Sequence, residues 1–211
     1  MVAKSPFMVF QRFISPLRCE SIVDDLDLTL PDEDIKGNPL KMVIHHERLE
    51  SIVYNSFVDI IPQIETHYNV THRATTEVDF IWVPQGNKKE SPICENGVLS
   101  NIPNQKGFVR TKDRDLTCVL FLSDYCNTPD FDSLYEVYGG KLEFTTWGFG
   151  FNPERGTMIV YPSSSHFLNT VCDVMVGDLV MAKFHIATTT PYRFNIKLFP
   201  GDTNTWFSHL K

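Results

Sequence analysis

The sequence predicts a mainly β domain with N-terminal helices, an α+β chain in which short strands outnumber helices. Three observations point there. Leu49, Ile52, Val53, Phe57, Ile60, Ile61 and Ile64 recur at three- and four-residue spacing, the period of one helix face. Beyond Tyr68 the apolar runs become short and β-branched, as in Glu77 to Val83, Thr117 to Leu122 and Thr157 to Tyr161. Between those runs lie clusters of Gly, Pro, Asn and Asp that suit turns. Helices followed by many short strands fit an antiparallel sandwich with helices on one face.

Taken in order, Phe7 to Phe13 reads as a strand. Ser15-Pro16 reads as a helix N-cap with proline in the first turn, ahead of the stripe Cys19, Ile22, Val23 and Leu26. Asp24 to Asp34 is an acidic, solvated connection. One helix is expected over Glu47 to Tyr68, with Pro62 as a kink or break. The strand candidates after Thr117 to Leu122 are Leu142 to Phe144, Thr157 to Tyr161, Val171 to Val176, Leu179 to Ile186 and Phe194 to Phe199. Gly139-Gly140 reads as a bulge or a close approach of two backbones, since no helix start follows that could take a phosphate.

Composition narrows the function classes. The chain has 211 residues and a formal net charge of −7, the size of one domain. The expected organisation is a single domain over 1–211, with a strand and helices in 1–76 and a β core in 77–200. Acidity argues against general binding to a phosphate backbone, so no nucleic-acid partner is expected. No apolar run approaches a membrane span, and Met1 to Pro6 carries no apolar signal segment. Five scattered cysteines, without a Cys-x-x-Cys pair, read as reduced thiols. Asn69-Val70-Thr71 is a chance sequon on this reading.

Five segments, in order, carry a family resemblance. Phe10-Gln11-Arg12-Phe13-Ile14-Ser15 followed by Cys19 resembles the strand-to-helix opening of prolyl-4-hydroxylase-like oxygenases. Arg114 to Asp124 resembles their strand ending in Leu-Asn-Asp or a variant. Gly139-Gly140-x-Leu142-x-Phe144 resembles the next strand, and Pro153-x-x-Gly156 with Tyr161-Pro162-Ser163 the turn and strand before the distal iron ligand. The resemblance implies a double-stranded β-helix, a cupin-like jelly roll.

It also implies a facial triad of two histidines and one carboxylate around ferrous iron, with open positions for 2-oxoglutarate and oxygen. The proximal pair would fall at Cys94 and Asn96 in one alignment and at Ile93 and Glu95 in the other, and neither supplies a histidine. Counting back from Gly177 by the family's spacing reaches Asn169 in place of the distal histidine. Counting forward reaches Leu179 in place of the basic 2-oxoglutarate anchor. Ile93, Cys94, Glu95, Asn96, Asn169 and Leu179 are therefore expected to be relict site positions.

The leading expectation is a non-catalytic relative without cofactor or metal. The segment Tyr138 to Asn152 and the variant distal region are similar to phage-encoded members of the group. That implies a virion part of the neck, tail or baseplate, assembled in the host cytoplasm with other protein subunits, and open to homo-oligomerisation. One alternative is an active, cytoplasmic Fe(II)/2-oxoglutarate hydroxylase with displaced ligands, Glu95 and His166 on the metal and Lys183 or His185 on the acid. Another is a sugar- or peptide-binding jelly roll that uses Trp147, Phe149 and Phe151. These three alternate in sequence and would share one strand face, either as core packing or as an exposed contact patch. His166 beside Ser163 to Ser165 also has a plain reading as a turn residue, and His45 and His46 as solvent-facing residues at a helix start.

Overall fold

The computed structural model describes residues 4–30, 41–100, 107–131 and 133–207. The far end of the acidic connection, from Pro31 to Asp34, lies outside the described residues. The chain is mostly β with few helices. Strand β1 (Met8–Phe10) leads to helix α1 (Pro16–Asp27), whose proline occupies the first turn and whose buried stripe is Cys19, Ile22, Val23 and Leu26. The Ser15 hydroxyl makes no cap; its carbonyl accepts from the Arg18 and Cys19 N–H groups instead.

Strand β2 (Met42–Ile44) precedes α2 (Glu47–Val58), and α3 (Ile61–Tyr68) follows. The single helix expected over 47–68 is thus two. The break at Asp59-Ile60 puts Pro62 in the first turn of α3, where a missing N–H leaves nothing unpaired. His46 caps α2 through Nδ1, which accepts from the Leu49 N–H, and Leu49, Val53 and Phe57 are buried. Asn69 ends α3 in the left-handed conformation.

Strands β3 (His72–Thr75), β4 (Asp79–Val83), β5 (Gly97–Ser100), β6 (Gly107–Arg110) and β7 (Leu116–Phe121) follow, then β8 (Asp124–Tyr125), β9 (Glu136–Gly139), β10 (Leu142–Phe144) and β11 (Phe149–Phe151). The remaining strands are β12 (Met158–Pro162), β13 (Asn169–Val171), β14 (Val174–Gly177) and β15 (Leu179–Thr188), before a last helix α4 (Thr203–Trp206). The large sheet runs β1-β12-β7-β15-β4-β2, with β3 beside the far end of β15. Its recorded pairings are antiparallel. Strands β1, β2 and β3, all before residue 77, belong to this sheet.

Strands β7 and β12 are buried at every position, because both of their faces are covered. Helices cover one face: Phe57 of α2 meets Phe184 of β15 edge-on at 4.9 Å. Alternate residues of a strand point to opposite faces, so Met181, Lys183 and His185 point away from α2. Smaller sheets lie in the orders β11-β10-β13 and β14-β9-β8, and β5 pairs with β6.

Two strand expectations are corrected. Residues 171–176 form parts of two strands, split at Cys172-Asp173, because Asp173 turns its backbone carbonyl to the Gly140 N–H and its carboxylate to the Lys89 N–H. Residues 194–199 contain a 3-10 turn at Ile196–Leu198, held by the Asn195 side chain on the Lys197 N–H. The double glycine is a close approach: a Cβ on Gly139, at φ +97°, would lie 2.2 Å from the Asp173 carbonyl oxygen.

The alternating-face expectation for Trp147, Phe149 and Phe151 also fails. Trp147 ends a 3-10 turn, Gly148 reverses the chain in the left-handed region, and only the two phenylalanines lie on β11. All three are half-buried in an aromatic cluster. Phe149 stacks on Phe207 at 4.2 Å, Trp147 meets Trp206 at 5.2 Å, and Phe7 touches Phe149 and Phe151. Packing, not an open contact patch, accounts for them. All five cysteines are free thiols. Among the described residues no helix is long and apolar enough to cross a membrane.

Candidate functional site

Polar side chains gather on the face of β15 turned away from the helices. Lys183 is the one residue of β15 that is not fully buried. Its ammonium lies 3.2 Å from Glu95 Oε1, and the two side chains are 15% and 3% exposed. The other carboxylate oxygen, Oε2, faces His185 Nε2 at 3.9 Å, and the imidazole is 1% exposed. Each carboxylate oxygen thus faces a different residue of β15.

His185 is held from its other nitrogen. Nδ1 lies 3.2 Å from Thr117 Oγ1, which also lies 2.7 Å from Ser163 Oγ. Ser163 is fixed in turn: its N–H donates to the Asp115 carbonyl, and its own carbonyl accepts from the Asn96 N–H. Burial, with the charges of Arg114, Lys183 and Lys112, pushes the imidazole down to about 2, so the ring is neutral at physiological pH. His185 Nε2 is a buried nitrogen without a hydrogen-bond partner, and such atoms are uncommon.

A small cavity opens beside this cluster, between Lys41, Ile93, Val119, Asn169, Met181 and Lys183. It holds about 30 Å³, room for a water molecule or two. Ile93 and Asn169 pair across as an isolated bridge, with N–H···O distances of 2.9 and 3.1 Å, so the two positions reached by family spacing do face one another. Leu179 is elsewhere: it is buried against Gly140 and does not line the cavity. Cys94 is half-buried, its thiol near Asn96 Oδ1 and the Ser163 carbonyl, and burial raises its pKa.

His166 is exposed in a 3-10 turn, its ring against Phe194. The structure does not bring it to the buried Glu95, so the pairing of those two on a metal is corrected: the 3-10 turn from Ser165 to Phe167 leaves the ring outside while Phe167 is buried. Among the described residues no group of three or more His, Cys, Asp and Glu could hold a metal ion. The Ser163 hydroxyl goes to Thr117, so it is not paired with His166 as nucleophile and base. Two residues at the site carried no signal in the sequence. Lys41 is a lone lysine before a three-residue strand, and Thr117 lies in an apolar run that otherwise reads as core.

No protein-family model matches this sequence, and no curated protein matches it. Solved structures do. The viral collagen prolyl hydroxylase vCPH of Paramecium bursaria Chlorella virus-1, as its 2OG complex, matches with TM-score 0.60 at 14% identity, over 88% of this chain and 97% of that one. A Pseudomonas putida prolyl-4-hydroxylase matches with TM-score 0.58 at 14% identity, over 88% and 94%. A Trichoplax adhaerens prolyl hydroxylase, bound to a fragment of the oxygen degradation domain of hypoxia inducible factor, matches with TM-score 0.56 at 9% identity, over 87% and 84%.

These matches correct the expectation of a non-catalytic virion part without cofactor. The three proteins named above are prolyl hydroxylases, and one was solved with 2OG. The virion location has no support and falls with that role. At such low identity the likeness concerns the fold and not the chemistry. What the comparisons establish is that this chain has a fold similar to that of the prolyl hydroxylases.

Proposed function

We propose that the chain is a hydroxylase of the 2-oxoglutarate/Fe(II) type on a double-stranded β-helix, with displaced donors. Glu95 and His185 would hold the metal, and Lys183 would meet the acid. The observation that carries this reading is His185 Nε2: buried, neutral, unpartnered and 3.9 Å from a carboxylate oxygen. A neutral imidazole and a carboxylate are the donor types that ferrous iron takes in the facial triad. The described residues supply two such donors, one fewer than the facial triad, so a bound metal would take its other positions from water and substrate oxygens. With iron and a 2-oxo acid bound, the site would supply oxidation of a substrate C–H bond by dioxygen.

The chain's own residues have definite tasks on this reading. Thr117 accepts from Nδ1–H, which keeps the lone pair on Nε2, the arrangement common to ligating histidines. Lys183 neutralises Glu95 and can turn from Oε1 toward an acid's carboxylate without disturbing the oxygen that faces His185. Ile93, Val119, Leu142 and Met181 form an apolar wall that keeps water from the polar cluster. The Tyr161 phenol stays protonated nearby, its pKa raised by burial and by the Glu95 charge.

Incubation with Fe(II) and 2-oxoglutarate under argon tests this. A weak visible charge-transfer band is expected, followed by succinate release when oxygen is admitted. His185→Gln and Glu95→Gln should abolish both, and His166→Ala should leave both intact. Wild-type protein that gives neither band nor succinate would refute the proposal.

A further inference from the structure

The end of β15 opens onto a second cleft that has no task in that account. Residues 68–71, at and after the end of α3, and residues 189–193, after β15, enclose it together with Leu198 of the last 3-10 turn. It holds about 390 Å³, within the span of small-molecule sites, about 300–1,000 Å³. It shares no lining residue with the small cavity beside Lys183. Its two sides are joined where the Thr189 N–H and hydroxyl both donate to the Thr71 carbonyl. The Tyr192 N–H donates to the buried Asp115 carboxylate at 2.7 Å, which fixes the second side to the sheet.

The lining offers two opposite polarities. No carboxylate lines the cleft, although the chain carries a net charge of −7. Arg193 is exposed and forms no ion pair among the described residues, and the Thr71 and Thr190 hydroxyls make no hydrogen bond there. Tyr192 adds a buried hydroxyl without a partner, and burial pushes its phenol up to about 12, so it stays protonated. Unpaired donors around a guanidinium suit an oxyanion. The end of α3 suits the reverse. The Glu65 carbonyl accepts from the Asn69 and Val70 N–H groups, and the carbonyls of Thr66, His67 and Tyr68 are left without a partner among the described residues. They carry the negative end of the helix dipole, which favours a cation. Val70, Pro191 and Leu198 supply apolar surface.

We propose that this cleft binds a free α-amino acid with an aliphatic side chain. The carboxylate meets Arg193 and the threonine hydroxyls, the ammonium meets the carbonyl end of α3, and the side chain lies on Val70, Pro191 and Leu198. A plain carboxylic acid leaves the helix end without a donor, and a plain amine leaves Arg193 without an anion. The cleft is separate from the Glu95–His185 cluster, and the proposal stands without the hydroxylase reading.

Amide-resolved NMR titration of the metal-free chain decides the matter, with L-leucine, 4-methylpentanoate (no ammonium) and 3-methylbutylamine (no carboxylate) as probes. L-Leucine should bind at least about tenfold more tightly than either, the scale of one charge-assisted contact. It should move the amide signals of Val70, Thr71, Thr190 and Arg193 and leave that of Lys183 in place. Arg193→Met and Leu198→Ser alter exposed side chains and should not shift the thermal melt. The first should weaken L-leucine at least about tenfold without changing 3-methylbutylamine, and the second should weaken L-leucine severalfold. The proposal is overturned if L-leucine moves none of the four signals at millimolar concentration, if either singly charged probe binds as tightly, or if Arg193→Met binds L-leucine as wild type does. Failure to form succinate would sink the hydroxylase reading and leave this cleft standing, and a negative titration would do the opposite.

Discussion

Removing either member of the Glu95–Lys183 pair should cost stability unequally, and the structure says in which order. Lys183→Met strands a carboxylate that is 3% exposed, on a backbone segment fixed by the bridge to Asn169. It cannot reach solvent, so the loss should be about 3 kcal/mol or more, the range for breaking a buried pair. Glu95→Gln strands an ammonium that is 15% exposed on a flexible stem beside the small cavity. Lysine can turn its head toward solvent, and the loss should be about 1 kcal/mol. In thermal terms these are shifts of roughly 6–12 °C against roughly 2–4 °C for a chain of this size.

Urea unfolding of both single variants and of the double variant Glu95→Gln/Lys183→Met at pH 7 measures this. The double variant should recover much of the loss seen in Lys183→Met. Equal losses in the two single variants would show that the pair is not buried as described.

Two further outcomes follow from the same geometry. His185 has a folded pKa depressed from 6.5 to about 2, so the unfolded chain takes up a proton below 6.5 that the folded chain refuses. Stability should therefore fall with pH below 6.5 by up to about 1.4 kcal/mol per pH unit, and His185→Gln should flatten that slope in urea titrations. Gly139→Ala should destabilise by about 3 kcal/mol, because its Cβ would sit 2.2 Å from the Asp173 carbonyl oxygen at a positive φ; a thermal melt within 2 °C of wild type would contradict this.

Local patterns carried most of the secondary structure. The Cys19–Leu26 stripe is a periodicity within one helix, and the Leu49–Ile64 stripe became two helices, broken at Asp59-Ile60 where the period alone shows no gap. The runs at 79–83, 116–121 and 158–162 are apolar on both faces and became strands buried on both sides, apart from Asp79 at the start of β4. Where long-range contacts decided the outcome, the pattern misled: 171–176 reads as one strand, but Asp173 leaves it to bind Lys89 and Gly140. The aromatic trio reads as alternating because the reversal at Gly148 has no local signature beyond a single glycine.

The site was legible in part. Spacing from Gly177 reached Asn169, which does face Ile93, while Leu179 by the same count turned toward Gly140 instead of the cavity. Glu95, Lys183 and His185 are named together only in the alternative reading, with the imidazole on the acid and not beside the carboxylate; Lys183 and His185 share β15, and Glu95 reaches them from the turn before β5, a contact that exists only after folding. His166 drew attention through its place in the sequence and was then carried to the surface by a turn.

Phe7 packs against Phe144, Phe167 and Phe207, and the strand beside it, β1, pairs with β12 at Met8↔Val160. Residues from opposite ends of the described chain are thus neighbours in space. A polypeptide emerging from the ribosome holds its first strand long before the partner is made, and the aromatic knot cannot close until residue 207 is free of the exit tunnel. Closing so large a loop is entropically costly and slow. The consequence is a late-folding domain whose unfinished chains carry an exposed phenylalanine and an unmatched strand while residues 11 to 157 are made, the condition under which chaperone capture or misassembly competes with folding.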